Sequence, residues 1–461
     1  MDSFPSLLLD IRNRPGGGLE TRLGTAGPRE TGRLVVEELD RSWPLPSGGA
    51  DSCNTIEWTG DRVVVRTSRQ NPTILYYWAE PGADRVLIGT DLAEVTARVL
   101  TDFLTDSGPE PDRARRQARA VRDSVRKIGG GRIVTFARAS AGTAVEVTEQ
   151  VAQTWHASPV IGETAMEAGD RQIEILCQEI VTAGEPGPVT AVVSGGVDSG
   201  LVAALAKEAG ILDHLATLGT PWGNEYAAAD ELGAHLGMPV QHLDLSEEDI
   251  LRAIPETVRM LGRPSREAVA GGVNLVAVYQ QGRIPRGTVL TGVGADFINS
   301  GLRVEAGPVP DLRKAVRECL EGAALAGELS GISAAAHGYV LRHMYWNTPV
   351  IQAALDTVPG VMRHRDREKG HMRLAATRIL PDAIAWRPKQ ALHHGSGVEA
   401  NLDGAVARLI GVPTVDVERF YDLVGLELVE ALAASPHEPV DSDKCLEAAI
   451  SAYNRANRDN R

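Results

Sequence analysis

Residues 190 to 205, TAVVSGGVDSGLVAAL, pass from a strand-like apolar run through Ser194, Gly195 and Gly196 into a helix-like apolar run. A turn at the carboxyl end of a strand and the amino end of a helix aims free backbone N–H groups and the positive end of the helix dipole at one point, which makes it an anion site. Gly195 and Gly196 let the main chain approach a ligand closely, and the hydroxyls of Ser194 and Ser199 can donate to its oxygens. Asp198 would repel a bare phosphate there. Its presence makes sense with a divalent cation bridging it to the anion, so Asp198 predicts magnesium. The plain alternative is a structural turn with Ser and Asp as helix caps; the full SGGVDSG between a strand and a helix favours phosphate. No GxxxxGK[ST] occurs, which excludes the nucleotide loop of kinases and GTPases.

Such a turn has to be held by a sheet. From about residue 165, MEAGDRQIEILCQEIVTAG reads as helix, VTAVVS as strand, VDSGLVAALAKEAG as helix, HLATLGT as strand, NEYAAADELGAHLG as helix and VQHLDL as strand. Helices at EEDILRAIPETVRML and SREAVAGGVNLVAVYQQ and a strand at GTVLTGVG close the series, and beyond about 311 the chain reads as mainly helical. That order implies a parallel sheet covered on both faces, with ligands beyond the carboxyl ends of its strands. Ahead of it, RLVVEEL, TIEWTG, DRVVVRTS, TILYYWAE, DRVLIGTD and GRIVTFAR read as short antiparallel strands. DLAEVTARVLTDFL and PDRARRQARAVRDSVRKIGGG read as helices between the last two. The basic tract in the second is interrupted, as on a solvated helix face rather than a nucleic-acid arm.

A chain of 461 residues, 43% hydrophobic and 23% charged, can bury two cores. The net charge of -14 disfavours nucleic acid. Cys53, Cys177, Cys319 and Cys445 lie far apart, against a disulfide framework or a zinc knuckle. His364, His371, His393 and His394 form no HExxH-like pattern and read as surface or phosphate-adjacent residues without zinc. With no signal-peptide pattern and no apolar run of membrane-spanning length, a soluble cytoplasmic protein is expected.

The SGGVDSG turn resembles that of the ATP pyrophosphatases with an SGGxDS loop, which hold the pyrophosphate of ATP while its α-phosphorus is attacked, releasing pyrophosphate and then AMP. LATLGTPWGNEYAAADELGAHLG, with Asn224 and Glu225 opening a helix, resembles the second strand-helix unit of asparagine synthetase-like proteins. VLTGVGADFINSG, 289 to 301, resembles their second loop, which makes Asp296 the other magnesium ligand; its plain alternative is a helix cap. MRHRDREKGHMRLAATRILPDAI is similar to their late basic helix, and WRPKQALHHGSG, 386 to 397, is most similar to β-lactam synthetases. The resemblance implies an α/β fold: residues 1 to 160 as an Ntn-hydrolase-like α/β/β/α sandwich, a degenerate glutaminase, and 165 to 461 as an adenylating PP-loop synthetase domain with a parallel sheet and a helical C-terminal part. The implied contacts to ATP and pyrophosphate are Val192, Ser194, Gly195, Gly196, Asp198, Ser199 and Gly292, with magnesium on Asp198 and Asp296. Pro388 restricts the chain around Lys389, whose ordinary fate would be a surface ion pair. Adenylate chemistry needs such a fixed cation, which can contribute on the order of 3 kcal/mol to the transition state.

The pattern also departs from the family. Asparagine synthetases use a cysteine at position two as glutaminase nucleophile; here position two is Asp2, as β-lactam synthetases have also lost that cysteine. The tyrosine that β-lactam synthetases carry in the second loop falls on Val293, and the glutamate paired with it falls on Glu328. A carboxylate in an apolar site can act as base without a phenol, and Tyr226, Tyr339 or Tyr345 could bring a hydroxyl from elsewhere. Cys319 stands where the arginine-derived members are expected to carry a guanidinium-binding acid, against a guanidine side chain.

These residues imply a ligase that uses ATP and Mg2+ to adenylate a small amino-acid-like carboxylate, whose own amine displaces AMP, in amino-acid-derived natural product and antibiotic biosynthesis. Amidation by free ammonia or a separate amine, and a degenerate nucleotide-binding scaffold, are the alternatives. No nucleic-acid or membrane partner is expected, and a homodimer is left open.

Overall fold

The computed structural model describes residues 6–13, 19–24, 29, 31–36, 53–79, 84–103, 111–139, 144–183, 187–299, 310–365, 367–388, 392–435 and 440–458. Ten strands lie in its first part: β1 (Leu8–Asn13), β2 (Leu19–Leu23), β3 (Gly32–Val35), β4 (Thr55–Trp58), β5 (Arg62–Arg66), β6 (Leu75–Ala79), β7 (Arg85–Gly89), β8 (Arg126–Ile128), β9 (Arg132–Arg138) and β10 (Val145–Val151). They form two antiparallel sheets of order β2-β1-β7-β6-β8 and β10-β9-β5-β4-β3. Alternation decides which side chains meet: Leu9 and Ile11 of one sheet share a core with Val63, Val65, Val134 and Phe136 of the other, so the sheets stack face to face. The other face of the first sheet lies on α1 (Leu92–Phe103) through Trp78, Leu87, Val95 and Val99, and α2 (Pro111–Ser124) follows. The outer face of the second sheet exposes Arg62, Arg66 and Glu146 around the half-buried Val64, Ile133, Thr135 and Ala137. Among the described residues no helix covers it, so of the expected α/β/β/α sandwich the described residues hold three layers, helix, sheet and sheet.

The second part opens with α3 (Ala165–Thr182), capped by the reciprocal bonds of Thr164 and Glu167. There follow β11 (Val189–Val192), α4 (Val197–Glu208), β12 (His214–Thr220), β13 (Gly223–Asn224), α5 (Tyr226–Leu236), β14 (Val240–Asp244), α6 (Glu247–Arg252), α7 (Ile254–Leu261), α8 (Arg266–Gln281), β15 (Thr288–Thr291), α9 (Ala295–Ile298), α10 (Pro310–Ala326), α11 (Ile332–Ala336) and β16 (Val340–His343). β11 is buried throughout and pairs in parallel with β12 and β15; β14 extends the sheet beyond β12 and β16 beyond β15, also in parallel. Ala191 and Val193 point into one core and Val192 into the other, as expected of a sheet covered on both sides. The chain moves from β11 outward through β12 to β14 and then returns to β15 on the opposite side. The crevice between β11 and β15 is therefore the switch point at which such sheets bind ligands.

Two sequence expectations change. EEDILRAIPETVRML is two helices, because Pro255 sits in the first turn of α7 and cannot continue α6. The stretch beyond 311 contains β16, whose four residues VLRH are too short a run to signal a strand by composition. The remainder is helical: α12 (Thr348–Leu355), α13 (Gly370–Ala376), α14 (Asp382–Ala385), α15 (Leu392–Gly395), α16 (Val398–Ile410), α17 (Val417–Ala434) and α18 (Ser442–Arg458). No helix of the described residues is long and apolar enough to cross a membrane.

The two parts are joined by specific contacts. The indole N–H of Trp346 donates to the Gln70 carbonyl at 3.0 Å, and Asn71 Nδ2 donates to the Ala324 carbonyl at 2.9 Å. The basic helix α2 is not simply solvated: Arg115 pairs with Glu427 and Arg122 with Asp422, each at 2.5 Å, docking it on α17. Arg259 reaches Asp91 at 2.6 Å where their side chains are 9% and 0% exposed. Asp91 also accepts from the Ala93 amide as cap of α1. Removing one member of so buried a pair leaves a charge without compensation, so Arg259→Ala should cost about 3–5 kcal/mol in urea unfolding; a variant as stable as the wild type would mean that water reaches Asp91.

Candidate active site

Two loops meet at the switch point. The first leaves β11 at Val192, turns through Ser194 and Gly195, and enters α4 with Gly196 as its cap. Gly195 has φ +70°, and a Cβ there would lie 2.3 Å from the Ala228 carbonyl carbon, so neither the turn nor its packing on α5 admits another residue. Asp198 and Ser199 fall in the first turn of α4, both nearly buried. The Ser194 amide donates to Ser199 Oγ at 3.1 Å, and the two hydroxyls lie 3.3 Å apart.

The second loop leaves β15 and enters α9 behind Gly294, which has φ +98°. A Cβ on Gly292 would stand 2.6 Å from the Ser199 amide nitrogen, so the loops touch backbone to backbone. Asp296 lies in the first turn of α9. Val192, Ser194, Gly196, Asp198, Ser199 and Gly292 line one cavity of about 360 Å³ with Asp296 and Glu328; Gly195 lies behind the wall instead.

What joins the two aspartates is a residue that sequence reasoning passed over. Lys369 Nζ lies 2.6 Å from Asp198 Oδ2 and 2.5 Å from Asp296 Oδ1, with its side chain wholly buried. Its backbone is left-handed, φ +55°, at the cap of α13. The segment expected as a basic helix is therefore a turn up to Lys369, closed by a His364–Arg367 bridge, and becomes helix only at Gly370. A Cβ on Gly370 would collide with the His364 amide at 2.0 Å, which is why a glycine follows the lysine. The only signal in the sequence was a Lys-Gly pair at a helix start, inside a run of charges that reads as surface.

The Arg-Pro-Lys segment reaches the same place. Arg387 donates to the Gly195 carbonyl at 2.5 Å and pairs with Glu231, and the nearly buried Arg373 donates to the carbonyls of Ala385 and Arg387 at 2.9 and 2.8 Å. Pro388 and His393 line the cavity. Lys389 lies outside the described residues, as does Asp2.

Glu328 stands in the turn after α10, and burial pushes its carboxyl above the ordinary range, as a base in an apolar wall requires. Val293 lines the cavity, as do Met260, Leu275, Phe297 and Leu329. Of the tyrosines considered as replacements, Tyr226 bonds Asp244 and Tyr339 the Ile284 carbonyl, and neither lines the cavity. Tyr345 is buried, and both burial and the charges of Asp198 and Asp296 hold its phenol well above its usual range. The tyrosine in the cavity wall is Tyr279 of α8, whose buried hydroxyl has no partner among the described residues. His343 also faces the cavity, its Nδ1 2.7 Å from Thr291 Oγ1, and burial holds it neutral with a pKa of about 3. Cys319 does not line the cavity, so its identity says nothing about the substrate side chain.

The donor set suits magnesium. Hard carboxylate oxygens from two loops converge beside N–H groups at a helix start, and Lys369 offsets one of the two negative charges, leaving one for a metal held jointly with phosphate oxygens. His393 and His394, expected to be surface or phosphate-adjacent residues, are brought together with Glu399, which the sequence did not single out.

The family model for asparagine synthase matches residues 185–313 and 325–444, more than half of the chain and every strand of the parallel sheet. The chain belongs to the asparagine synthase family. Membership makes it an ATP-dependent ligase, close to the β-lactam synthetases. The carboxyethyl-arginine beta-lactam-synthase of Streptomyces clavuligerus is 27% identical over 389 residues, covering 82% of this chain and 71% of that protein. Among solved structures, NMN synthetase from Francisella tularensis is similar at 14% identity and a TM-score of 0.27, covering 65% of this chain and 97% of that one. NAD+ synthetase from Burkholderia pseudomallei is similar at 15% identity and a TM-score of 0.20, covering 54% and 91%.

The asparagine synthase fold positions Lys369 through α13, which crosses α3 at Gly169, where a Cβ would meet the His371 carbonyl at 2.2 Å. His371 is wholly buried rather than at the surface, 3.1 Å from Gln172 Nε2, and burial lowers its pKa from 6.5 to about 4. Between those values the unfolded chain binds more protons at this ring than the folded one, so the stability linked to His371 is full above about pH 6.5 and about 3 kcal/mol of it is lost as the pH drops to about 4, with buried His343 adding a loss of the same sign. Urea midpoints across this range should show the slope, and His371→Gln should reduce it to the share of His343; an unchanged slope would mean that the His371 ring is solvated.

Proposed function

We propose that the protein is an ATP- and magnesium-dependent synthetase that adenylates the carboxylate of a small amino-acid-like substrate and lets an amine of the same molecule displace AMP. The observation that carries the reading is the convergence of Asp198 and Asp296, from the ends of two adjacent parallel strands, on one buried ammonium, both carboxylates lining a cavity that also holds Glu328. Similarity to a beta-lactam-synthase supports the intramolecular step.

In this reading the amide groups at the start of α4 and the hydroxyls of Ser194 and Ser199 hold the pyrophosphate end of ATP. Magnesium on Asp198 and Asp296 would neutralise charge on the phosphates. Lys369 keeps both carboxylates in place before the nucleotide arrives. Lys389 is the cation that meets the charge developing first at phosphorus and then at the tetrahedral carbon. Glu328, with its raised affinity for a proton, takes one from the attacking amine. Holding carboxyl and amine in one cavity makes ring closure the favoured path.

The two half-reactions can be read separately. Carboxylate-dependent exchange of labelled pyrophosphate into ATP reports adenylation, and product mass reports the amide step; a product one water lighter than the substrate is cyclised, whereas a heavier one has condensed with a second amine. Lys369→Met and Asp296→Asn should lower exchange and product together, by about a hundredfold or more. Glu328→Gln should keep exchange and lose product by about 10²- to 10⁴-fold. Exchange lost as fully as product in Glu328→Gln would remove this glutamate from the role of base, and a folded protein that releases no pyrophosphate with any carboxylate would overturn the reading as a whole.

A further inference from the structure

The segment after Lys389 runs into α15, which carries His393 and His394 side by side; α16 then brings Glu399 against them. Nε2 of His393 lies 3.7 Å from Glu399 Oε2, and Nε2 of His394 is in direct contact with the same oxygen. One donor atom from each of the three lies within 4.8 Å of the other two. The imidazoles stand edge to face, 4.4 Å between centroids.

The scaffold beneath them is pinned. Gly397 turns the chain between α15 and α16 with φ +71°, and a Cβ there would strike the Trp222 carbonyl at 2.7 Å. Thr220 Oγ1 donates to the Ser396 carbonyl at 2.6 Å, Asn274 Nδ2 to Ser396 Oγ at 3.2 Å, and Arg266 to the Glu399 carbonyl at 3.2 Å. The backbone that carries the three donors is thus fixed from outside the cluster, as in a preorganised site.

Two imidazole nitrogens and one carboxylate oxygen form a borderline donor set, suited to late first-row divalent ions and poor for magnesium, which demands oxygens. Zinc bonds of about 2.0–2.2 Å in a tetrahedron put donor atoms about 3.3 Å apart. The contact of His393 with Glu399 needs to close slightly and that of His394 to open, both within reach of side-chain rotation.

We propose that His393, His394 and Glu399 bind a zinc ion, separate from the magnesium pair Asp198 and Asp296, with a fourth position left to water. His393 also lines the cavity, so the ion fixes the edge of the active site that follows Lys389. The site stands on this geometry and not on the reaction assigned above.

Chelator-stripped full-length protein, titrated with zinc against a chromophoric competitor in excess Mg2+, should bind one equivalent per chain. Even groups that only orient a metal ligand are worth about 10- to 100-fold in affinity, so His394→Ala and Glu399→Gln should each weaken zinc at least tenfold. The Asp198→Asn/Asp296→Asn double variant should keep the full equivalent. With Co2+ in place of zinc, the visible absorption of a four-coordinate ion should develop in the wild type and be lost in Glu399→Gln, with far-ultraviolet circular dichroism confirming that the variant is folded. Three outcomes overturn the proposal: no zinc retained over Mg2+, an affinity indifferent to Glu399→Gln as for a bare surface histidine pair, or zinc that is lost with the aspartates instead.

Discussion

Two carboxylates brought to one point from separate loops repel each other, and in this protein a buried ammonium makes that arrangement stable. Lys369 touches both Asp198 and Asp296, and none of its side chain is exposed. Without it, two charges with little access to water would face each other, the condition under which carboxylates take up protons or move apart. The backbone shows how firmly the lysine is placed. A non-glycine residue in the left-handed region costs on the order of 1–3 kcal/mol and persists where its surroundings leave no alternative. Here the Gly370 amide is bound to the Met362 carbonyl at 2.6 Å, and Arg373 clamps Glu368 through both its backbone and its carboxylate.

The same economy governs the loops. Gly292 rests on the amide of Ser199, Gly195 on Ala228, and Arg387 takes the Gly195 carbonyl. Each contact is made by backbone on at least one side, so the donors and carboxylates move as one body and need little rearrangement when charge develops in the cavity. The first part of the chain extends that rigidity. Trp346, bonded to Gln70, lies edge-on against Phe297 and beside Gly294, which ties the strand-rich layers to the loop that carries Asp296. The strand-rich part of the chain thus braces the candidate site.

The sequence was legible where local chemistry and local structure coincide. SGGVDSG could be read because strand, turn and helix each follow from adjacent residues, and the alternation from 165 to 291 gave the parallel sheet and the end of its strands where ligands sit, while the crevice between β11 and β15 needed the strand order. Asp296 and Glu328 were reached through resemblance, and both line the cavity. Lys369 was not legible. Its partners are 171 and 73 residues away in sequence, and a lysine within RHRDREKGHMR is indistinguishable from a solvated one until the fold buries it. Tyr279 was hidden for the opposite reason, since it falls on the apolar stripe of a helix and reads as core. β16 and the docking of α2 on α17 likewise depend on contacts between distant segments.

Charge accounting around the cavity shows why one resident lysine is not sufficient for a polyphosphate ligand. Asp198, Asp296 and Lys369 together leave one negative charge, and the nearby arginines are committed: Arg373 to Glu368 and Arg387 to Glu231. Glu328 and Glu225 add further negative charge to the wall. What remains positive among the described residues is the amino end of α4, equivalent to about half a charge. A polyanion entering this cavity meets net repulsion unless it brings a cation with it and meets another there. The first requirement is one that a divalent cation shared between the phosphates and the two carboxylates would meet. The second is the role the sequence expectation gives to Lys389, whose described neighbours in the sequence, Pro388 and Leu392, both line the cavity.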